Sequence, residues 1–269
     1  MITEKRAALL EALGLYGYLT PQQMLFSLGL FSDENSLRSA LDAMKRQGLV
    51  SSCKPWPKPG EGRFPSVFSL TAAGAALIEA PPELRVRPLK PDPPADIEHR
   101  VAIVQSHIAL RAWATRAGHQ VTGFVPDFAR SPERDRKATG IKTPLGIYTP
   151  DALMGLVGND GTFRPLVIEV YRGGITGRAT YLRRKLPEAV QQIGTREVQA
   201  AHAPPDQRRS AARLLVIVDS DPLLTSLKRS LPDPDLPGWD LTFIKTLDQV
   251  AVDPYRRWWR PRHGVQDLF

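Results

Sequence analysis

The sequence predicts an α+β or α/β protein of two domains: a small helical domain with a β-hairpin, and a larger domain built on a mixed sheet. Near the N terminus, three short amphipathic helical patterns are followed by two strand-like runs. From residue 96 onward, apolar strand-like runs alternate with helical patterns, which favours helices packed on a sheet. Six prolines lie between residues 81 and 95, and such a segment is extended and semi-rigid. We therefore expect domains over 1–80 and 96–269, joined by a linker over 81–95.

Composition narrows the classes of protein that the chain can represent. Its 269 residues carry a formal net charge of +8, and a basic chain favours polyanionic partners, of which DNA is the commonest. No apolar run reaches the roughly 18 residues that a membrane helix needs. Cys53 is the only cysteine, which excludes an internal disulfide and a cysteine-cluster zinc site. We expect a cytoplasmic protein without membrane contact.

Helix-initiation and termination signals locate the elements of the first domain. Thr20 and Asp33 are typical N-cap residues, and Pro21 suits the first helical position because its missing N–H would be unpaired there. Gly48 suits the end of the third helix. The predicted elements are helices over 4–14, 21–28 and 34–47, strands over 49–53 and 66–70, and a last helix over 71–79. Gly14 and Gly17 are alternative ends of the first helix. A short helix, a tight turn and a longer helix form the helix-turn-helix pattern.

The second strand and the residues after it resemble the end of many bacterial winged-helix domains. In Phe68–Gly74, phenylalanine stands where tyrosine is more usual, and the leucine, threonine and glycine of that pattern follow. The resemblance covers residues 4–80 and implies that the third helix enters the major groove of double-stranded DNA. The expected base contacts are Asn35, Ser36, Arg38 and Ser39, and the expected phosphate contacts are Lys45, Arg46, Lys54, Lys58 and Arg63. Residues 1–80 hold eight basic and seven acidic side chains, so a protein-interaction module is the alternative.

The second domain has a definite order of predicted elements. The continuous apolar run over residues 166–168 is typical of a central, buried strand, and residues 158–161 form a predicted hairpin turn before it. Residues 127–148 are polar and are predicted to form a long loop. The predicted elements are a helix over 95–117, strands over 121–125, 151–157 and 163–171, a helix over 178–193, a strand over 214–219, a helix over 222–230 and a strand over 241–244.

Two acidic residues on neighbouring predicted strands are the best candidates for a metal site. Asp151 opens one strand, Glu169 lies near the end of the next, and the hairpin between the strands can bring the two side chains together. Paired carboxylates suit Mg²⁺, which prefers oxygen ligands and can activate water for attack on a phosphate. Glu98, on the helix that opens the domain, is a candidate third ligand.

The element order, together with Pro150-Asp151 and Glu169, resembles the nuclease core of the PD-(D/E)xK superfamily. In that pattern a lysine follows the glutamate by two residues, but this chain has Tyr171 there. Lys185 on the following helix is our candidate for the displaced catalytic lysine, and Arg172 and Arg178 are alternatives as well as predicted DNA contacts. Residues 172–213 hold nine basic and three acidic side chains, which favours contact with a phosphate backbone. The departure at residue 171 favours a degenerate nuclease-like domain that is kept for DNA binding or dimerisation; an active Mg²⁺-dependent endonuclease, which nicks or cleaves DNA, is the alternative.

The two domains together resemble the replication-relaxation family of bacterial plasmids and mobile elements. The resemblance rests on Leu19-Thr20, Leu70-Thr71, a helix bearing His99, Pro150-Asp151-Ala152 and Ile168–Gly173, and covers most of residues 4–195. It implies a DNA-binding protein that acts in plasmid replication, DNA relaxation or transfer, alone or together with replication or transfer machinery. A homodimer is expected because most helix-turn-helix proteins read two half-sites. A transcriptional regulator and a module that recruits other proteins are the further alternatives.

The C-terminal tail mixes cations with aromatic residues. Residues 256–262 contain four arginines and two tryptophans. Such a segment can stack on nucleic-acid bases, or its tryptophans can hold the tail against the domain core. The sequence favours the second alternative, since tryptophans near a chain end usually pack on the domain.

Overall fold

A computed structural model of the chain describes residues 3–29, 31–54, 65–78, 96–129, 137–172, 178–201 and 209–269. The described residues divide into two compact units within a mixed α and β protein. The first unit contains the described residues up to Val104 together with Ala129, and the second contains Gln105–Phe128 and the described residues from Lys137 onward. The predicted linker over 81–95 lies outside the described residues.

Three helices and an antiparallel hairpin make up most of the first unit. Its elements are α1 Glu4–Tyr16, α2 Pro21–Leu28, α3 Glu34–Arg46, β1 Val50–Cys53, β2 Val67–Leu70 and α4 Ala72–Ala75, followed by the first residues of α5 Ile97–Arg116. The predicted bounds of α2 and α3 are confirmed to within a residue. Helix α1 continues past Gly14 and ends at Gly17, whose N–H donates to the Leu13 carbonyl. The last helix is shorter than the predicted 71–79.

Local side-chain caps explain where α2 and α3 begin. The Thr20 hydroxyl accepts a hydrogen bond from the Gln23 N–H at 3.2 Å, and the Gln23 side chain accepts one from the Thr20 N–H at 3.0 Å. This reciprocal pair satisfies two donors that would otherwise be unpaired at the helix start. The Asp33 carboxylate accepts from the Ser36 N–H at 2.8 Å and caps α3 in the same way. Both caps were predicted from the residue types alone.

The junction between α3, β1 and α4 gives a physical reason for the leucine-threonine-glycine pattern. The Thr71 hydroxyl donates to the Gly48 carbonyl at 2.6 Å and accepts from the Gly74 N–H at 3.0 Å. A Cβ atom at Gly74 would lie 2.0 Å from the backbone oxygen of Leu49. The glycine is therefore required by close backbone approach, and the threonine ties the helix to the start of the hairpin.

The second unit is built on a seven-stranded mixed sheet, counted over the described residues. The strand order is β11-β10-β9-β8-β7-β6-β3, with β7, β8 and β9 parallel and the other pairs antiparallel. The elements after α5 are β3 Gln120–Pro126, β4 Ile141–Thr143, β5 Gly146–Tyr148, β6 Ala152–Val157, β7 Phe163–Tyr171, α6 Arg178–Ile193, α7 Arg196–Ala200, β8 Arg213–Val218, α8 Asp221–Arg229, a 3₁₀ helix Pro237–Leu241, β9 Thr242–Thr246, α9 Leu247–Val252, β10 Trp258–Arg260 and β11 Gly264–Gln266.

The prediction of a loop over the whole of residues 127–148 is wrong for residues 141–148. Strands β4 and β5 form a small antiparallel hairpin there, and Gly146 adopts a φ of +118° beside its two-residue turn. Strands of three residues are too short for an alternating pattern to stand out in the sequence. The hairpin matters because Tyr148, its last residue, is buried against one face of the large sheet.

The C-terminal tail extends the sheet. Strand β10 pairs with β9, and Trp258 is completely buried, with its indole N–H donating to the Pro254 carbonyl at 2.9 Å. The Lys245 ammonium, itself buried, donates to the backbone carbonyls of Asp253 and Arg256 and lies 5.6 Å from the Trp258 ring centre. The tail therefore packs on the domain, as the sequence favoured. None of the helices in the described ranges is both long and apolar enough to cross a membrane.

Candidate functional site

Three carboxylates lie in one row across neighbouring strands of the second unit. Asp127 follows β3, Asp151 precedes β6 and Glu169 lies within β7. The Asp127 N–H donates to the Asp151 carbonyl at 2.8 Å, and the pairing of Ala152 with Ile168 places Asp151 opposite Glu169. Residues opposite one another on paired strands project to the same face of a sheet. The row therefore gathers three acids on the face that also carries α6.

Two hydrogen bonds hold the central carboxylates in place. The Asp151 Oδ2 atom accepts from the Val170 N–H at 2.7 Å, which fixes this side chain against the adjacent strand. The Tyr148 hydroxyl donates to Glu169 Oε1 at 2.8 Å. Tyr148 and Glu169 are both buried, at 8% and 9% exposure, so the contact lies beneath the surface of the unit. The β4–β5 hairpin thus covers one oxygen of Glu169.

Burial and mutual repulsion of the carboxylates in the row favour the binding of a proton or a cation there. Burial raises the pKa of Glu169 well above its ordinary value, and the charge of Asp151 raises it further. The hydrogen bond from Tyr148 and the positive charge of Lys137 lower this pKa, but by less. A carboxyl whose pKa is perturbed by burial and by a second carboxylate is typical of functional sites.

Tyr171 occupies the position where the resemblance requires a lysine. It lies two residues after Glu169, so strand alternation places it on the same face, and it is 8% exposed. Burial raises the pKa of its hydroxyl well above 10, and the negative charge of Glu169 adds to the effect. This side chain is neutral at any physiological pH and supplies no positive charge to the row.

Lys185, predicted to replace the lysine that is missing at residue 171, forms an ion pair within its own helix, α6. Its ammonium lies 2.8 Å from Glu188 Oε2 in an ion pair between residues one helical turn apart. Lys137 lies instead beside the row, with its ammonium 2.5 Å from Asp127 Oδ2. Sequence reasoning missed Asp127, Lys137 and Tyr148, because the signal that identifies them is adjacency across strands and not spacing along the chain.

The donor set fits a hard divalent cation that keeps several waters. Among the residues that the structure describes, no three or more His, Cys, Asp or Glu side chains are grouped closely enough to hold a metal ion by themselves. Mg²⁺ is commonly held by only one or two carboxylates, with water in its remaining positions. Asp151 and Glu169 meet that requirement, whereas Glu98, the predicted third ligand, lies in the first turn of α5 among residues of the first unit.

The first unit presents a separate candidate surface on α3. Leu37, Leu41 and Met44 are completely buried on one side of this helix. At about 100° per residue, the opposite side carries four exposed polar residues, Asn35, Ser39, Asp42 and Arg46. This side has the donors and acceptors that contact base edges in the major groove.

Arg38 and Lys45, two further predicted contacts on α3, lie beside the hairpin. Arg38 forms an ion pair with Glu34 at 2.7 Å, and Lys45 donates to the Ser52 hydroxyl at 2.7 Å. These residues line a cleft of about 620 Å³ between α2, α3 and β1. Of the other predicted DNA contacts, Ser36 donates to the Asp33 carboxylate, Lys54 is exposed beside the cleft and Arg172 is half-buried, while Lys58, Arg63 and the Arg178 side chain lie outside the described residues.

Comparison of the chain with protein-family models, with curated proteins and with solved structures found no match. The resemblances to winged-helix, nuclease and replication-relaxation proteins therefore stay predictions.

Proposed function

We propose that the chain binds double-stranded DNA through its first unit, which has the element order of a winged helix-turn-helix domain. The observation that carries the proposal is the polar side of α3, with Asn35, Ser39 and Arg46 exposed opposite a fully buried apolar stripe. The hairpin that follows α3 corresponds to the wing. A 13-residue helix is about 20 Å long, which is enough to span several base pairs in a major groove.

Arg38 remains a candidate base contact within this proposal. Its side chain and that of Glu34 are 62% and 50% exposed. Exposed ion pairs between such residues contribute little to stability, so DNA can displace the pair at low cost. Lys45, Arg46 and Lys54 are then available to the phosphates on either side of the groove.

A salt-dependent gel shift with duplex DNA tests the proposal. If several phosphates are contacted, the affinity falls steeply as salt rises, because bound counterions are released. Arg46→Ala is expected to weaken binding about tenfold, the loss typical of one direct contact. Arg229→Ala, which removes an exposed arginine at the end of α8, serves as the control and leaves binding unchanged. A wild-type chain that binds no duplex at low salt would refute the proposal.

Metal-dependent cleavage of DNA is the second candidate function, and the row of Asp127, Asp151 and Glu169 is the observation that favours it. The strand order and the acidic pair support a PD-(D/E)xK-type domain. In that interpretation Asp151 and Glu169 hold a divalent cation, which would supply activation of water and stabilisation of negative charge on the phosphate. A buried carboxylate kept beside two others has no evident benefit for packing, which supports a role in chemistry.

Supercoiled plasmid DNA with Mg²⁺ or Mn²⁺ distinguishes an active from a degenerate domain. An active domain nicks or linearises the plasmid, and Glu169→Gln and Asp151→Asn each abolish this activity while DNA binding is kept. Glu98→Gln tests the third predicted ligand in the same assay. If the wild-type protein binds DNA and cleaves nothing with either metal, the second unit is a nuclease-like domain kept for DNA binding or dimerisation.

The wider role belongs to the proposal as well. A function in replication, relaxation or transfer of a plasmid or mobile element follows from the resemblance alone, as does recruitment of replication machinery, whereas the proposed cytoplasmic location rests on the composition of the chain. A homodimer would read two half-sites about one helical turn of DNA apart. Light scattering of the chain with and without a palindromic duplex measures the number of subunits directly.

A further inference from the structure

If the acidic row binds a metal that hydrolyses a phosphodiester, a second positive charge is needed to stabilise the negative charge that grows on the phosphate. In the reaction, the oxygen of a water molecule bonds to phosphorus, one ester P–O bond breaks, and the leaving oxygen takes up the proton that the attacking water releases. Negative charge grows on the phosphate oxygens, and a positioned cation stabilises it in the transition state. The carboxylates of Asp127 and Asp151 themselves repel that charge. The neutral hydroxyl of Tyr171 does not offset it.

Lys137 is held at the end of this row by two contacts. Its ammonium forms an ion pair with Asp127 at 2.5 Å, and Asp127 is joined through its backbone N–H to Asp151. Two residues further on, the buried hydroxyl of Thr139 donates to the Pro150 carbonyl at 2.6 Å. The segment that carries Lys137 is therefore fixed beside Pro150-Asp151 and not merely near it in sequence.

The exposure of Lys137 suits contact with a substrate. Its side chain is 61% exposed, whereas that of Asp127 is 14% exposed, so the ammonium lies at the rim of the row and the carboxylates lie beneath it. Neighbouring strands are about 4.8 Å apart, which places the strand of Glu169 about 10 Å from that of Asp127. A lysine side chain and one phosphate group together span that distance.

We propose that Lys137 supplies the positive charge for phosphodiester hydrolysis at the acidic row, the role that the sequence predicted for Lys185. The inference rests on the proposed cleavage activity and names the residue that completes its site. Lys185 is directed to Glu188 on the same face of α6, at the spacing of a local helical ion pair. Lys137 forms its ion pair with Asp127, a member of the acidic row.

The test compares Lys137→Ala, Lys137→Arg and Lys185→Ala in the full chain, with circular dichroism to establish that each variant is folded. Cleavage of supercoiled plasmid in Mg²⁺ is expected to fall about 100-fold or more in Lys137→Ala, as for the loss of one transition-state donor. Lys137→Arg keeps the charge and is expected to retain most of the rate. Lys185→Ala, which tests the competing assignment, is expected to stay within about threefold of wild type.

A second measurement does not depend on turnover. Calorimetric titration with Ca²⁺ in the absence of DNA is expected to show several-fold tighter binding to Lys137→Ala, because the variant no longer places a positive charge beside the carboxylates. Lys185→Ala is expected to bind Ca²⁺ like the wild type. Tighter Ca²⁺ binding would show that Lys137 lies within electrostatic reach of the carboxylates, and the cleavage rates of the same variants then test whether it also stabilises the transition state.

The outcomes separate the inference from the proposed function. If Lys137→Ala cleaves DNA as fast as the wild type, or if Lys185→Ala is the variant that loses activity, the inference is overturned while the cleavage function stands. A wild-type chain that cleaves nothing defeats both. Equal Ca²⁺ affinity of the wild type and Lys137→Ala also overturns the assignment of Lys137 to the site.

Discussion

Replacing Glu169 by glutamine, which keeps the shape of the side chain without its acid, is expected to remove one pH-dependent contribution to the free energy of unfolding. Glu169 is 9% exposed, and burial together with the charge of Asp151 holds its pKa well above the ordinary value of 4.5. Above pH 4.5 the folded chain therefore keeps a proton that the unfolded chain loses. The stabilisation from this proton is complete below pH 4.5 and is lost as pH rises toward the folded pKa.

The size of the effect follows from proton linkage. One proton bound by the folded state alone changes the free energy of unfolding by about 1.4 kcal/mol per pH unit. The wild type is therefore expected to lose stability relative to Glu169→Gln as pH rises above 4.5, with this slope as the upper limit, until the pH reaches the raised folded-state pKa. The difference between the two proteins is the useful quantity, because groups distant from the acidic row titrate equally in both.

Urea denaturation over a series of pH values measures this difference, with a chelator present to remove divalent cations. Glu188→Gln serves as the control, because it removes one carboxyl whose side chain is 59% exposed on the surface of α6. Parallel curves for the wild type and Glu169→Gln would show that Glu169 has an ordinary pKa. The argument for an electrostatically perturbed acidic row would then be wrong.

Three further variants test other parts of the structure. Burial lowers the pKa of His107 to about 3. The folded state therefore resists protonation of this side chain, and the free energy of unfolding decreases as pH falls below 6.5. From pH 7.5 to 5.0 the wild type is expected to lose about 2 kcal/mol more stability than His107→Phe, measured by urea denaturation. Gly74→Ala places a Cβ atom 2.0 Å from the Leu49 oxygen and is expected to cost about 1–3 kcal/mol, seen as a lower melting temperature. Thr20→Ala removes the cap on the Gln23 N–H and is expected to cost about 1 kcal/mol by chemical denaturation. Unchanged stability in either of the last two would contradict the contacts that motivate them.

Most helices and strands could be predicted because their signals are local. Thr20, Asp33 and Thr71 begin helices by accepting hydrogen bonds from backbone N–H groups three residues ahead, an interaction that needs no tertiary structure. The apolar run in β7 likewise indicated a central strand, and this strand lies between β6 and β8. The three-residue strands β4 and β5 were missed, since they are too short for periodicity to identify.

The candidate site was predicted only in part. Asp151 and Glu169 were identified because they flank a hairpin, and a hairpin brings its ends together by construction. Lys185 was chosen from its position on the helix after Glu169, but the structure pairs it with Glu188 three residues along the same helix. Local ion pairs of this kind compete with any longer-range contact, and their outcome depends on packing that the sequence does not display.

By itself, the sequence determined the boundaries of α2 and α3, the leucine-threonine-glycine pattern that ends at Gly74, and the pair of carboxylates on adjacent strands. Only the tertiary structure decided that Asp127 and Lys137 join the row and that Tyr148 covers Glu169. The physical reason is the range of the interactions. Caps and strand periodicity act over a few residues, whereas pairing of β3 with β6, and packing of a short hairpin on the sheet, join residues that are 20 or more positions apart. The charges of such residues influence one another only when folding has brought the side chains together.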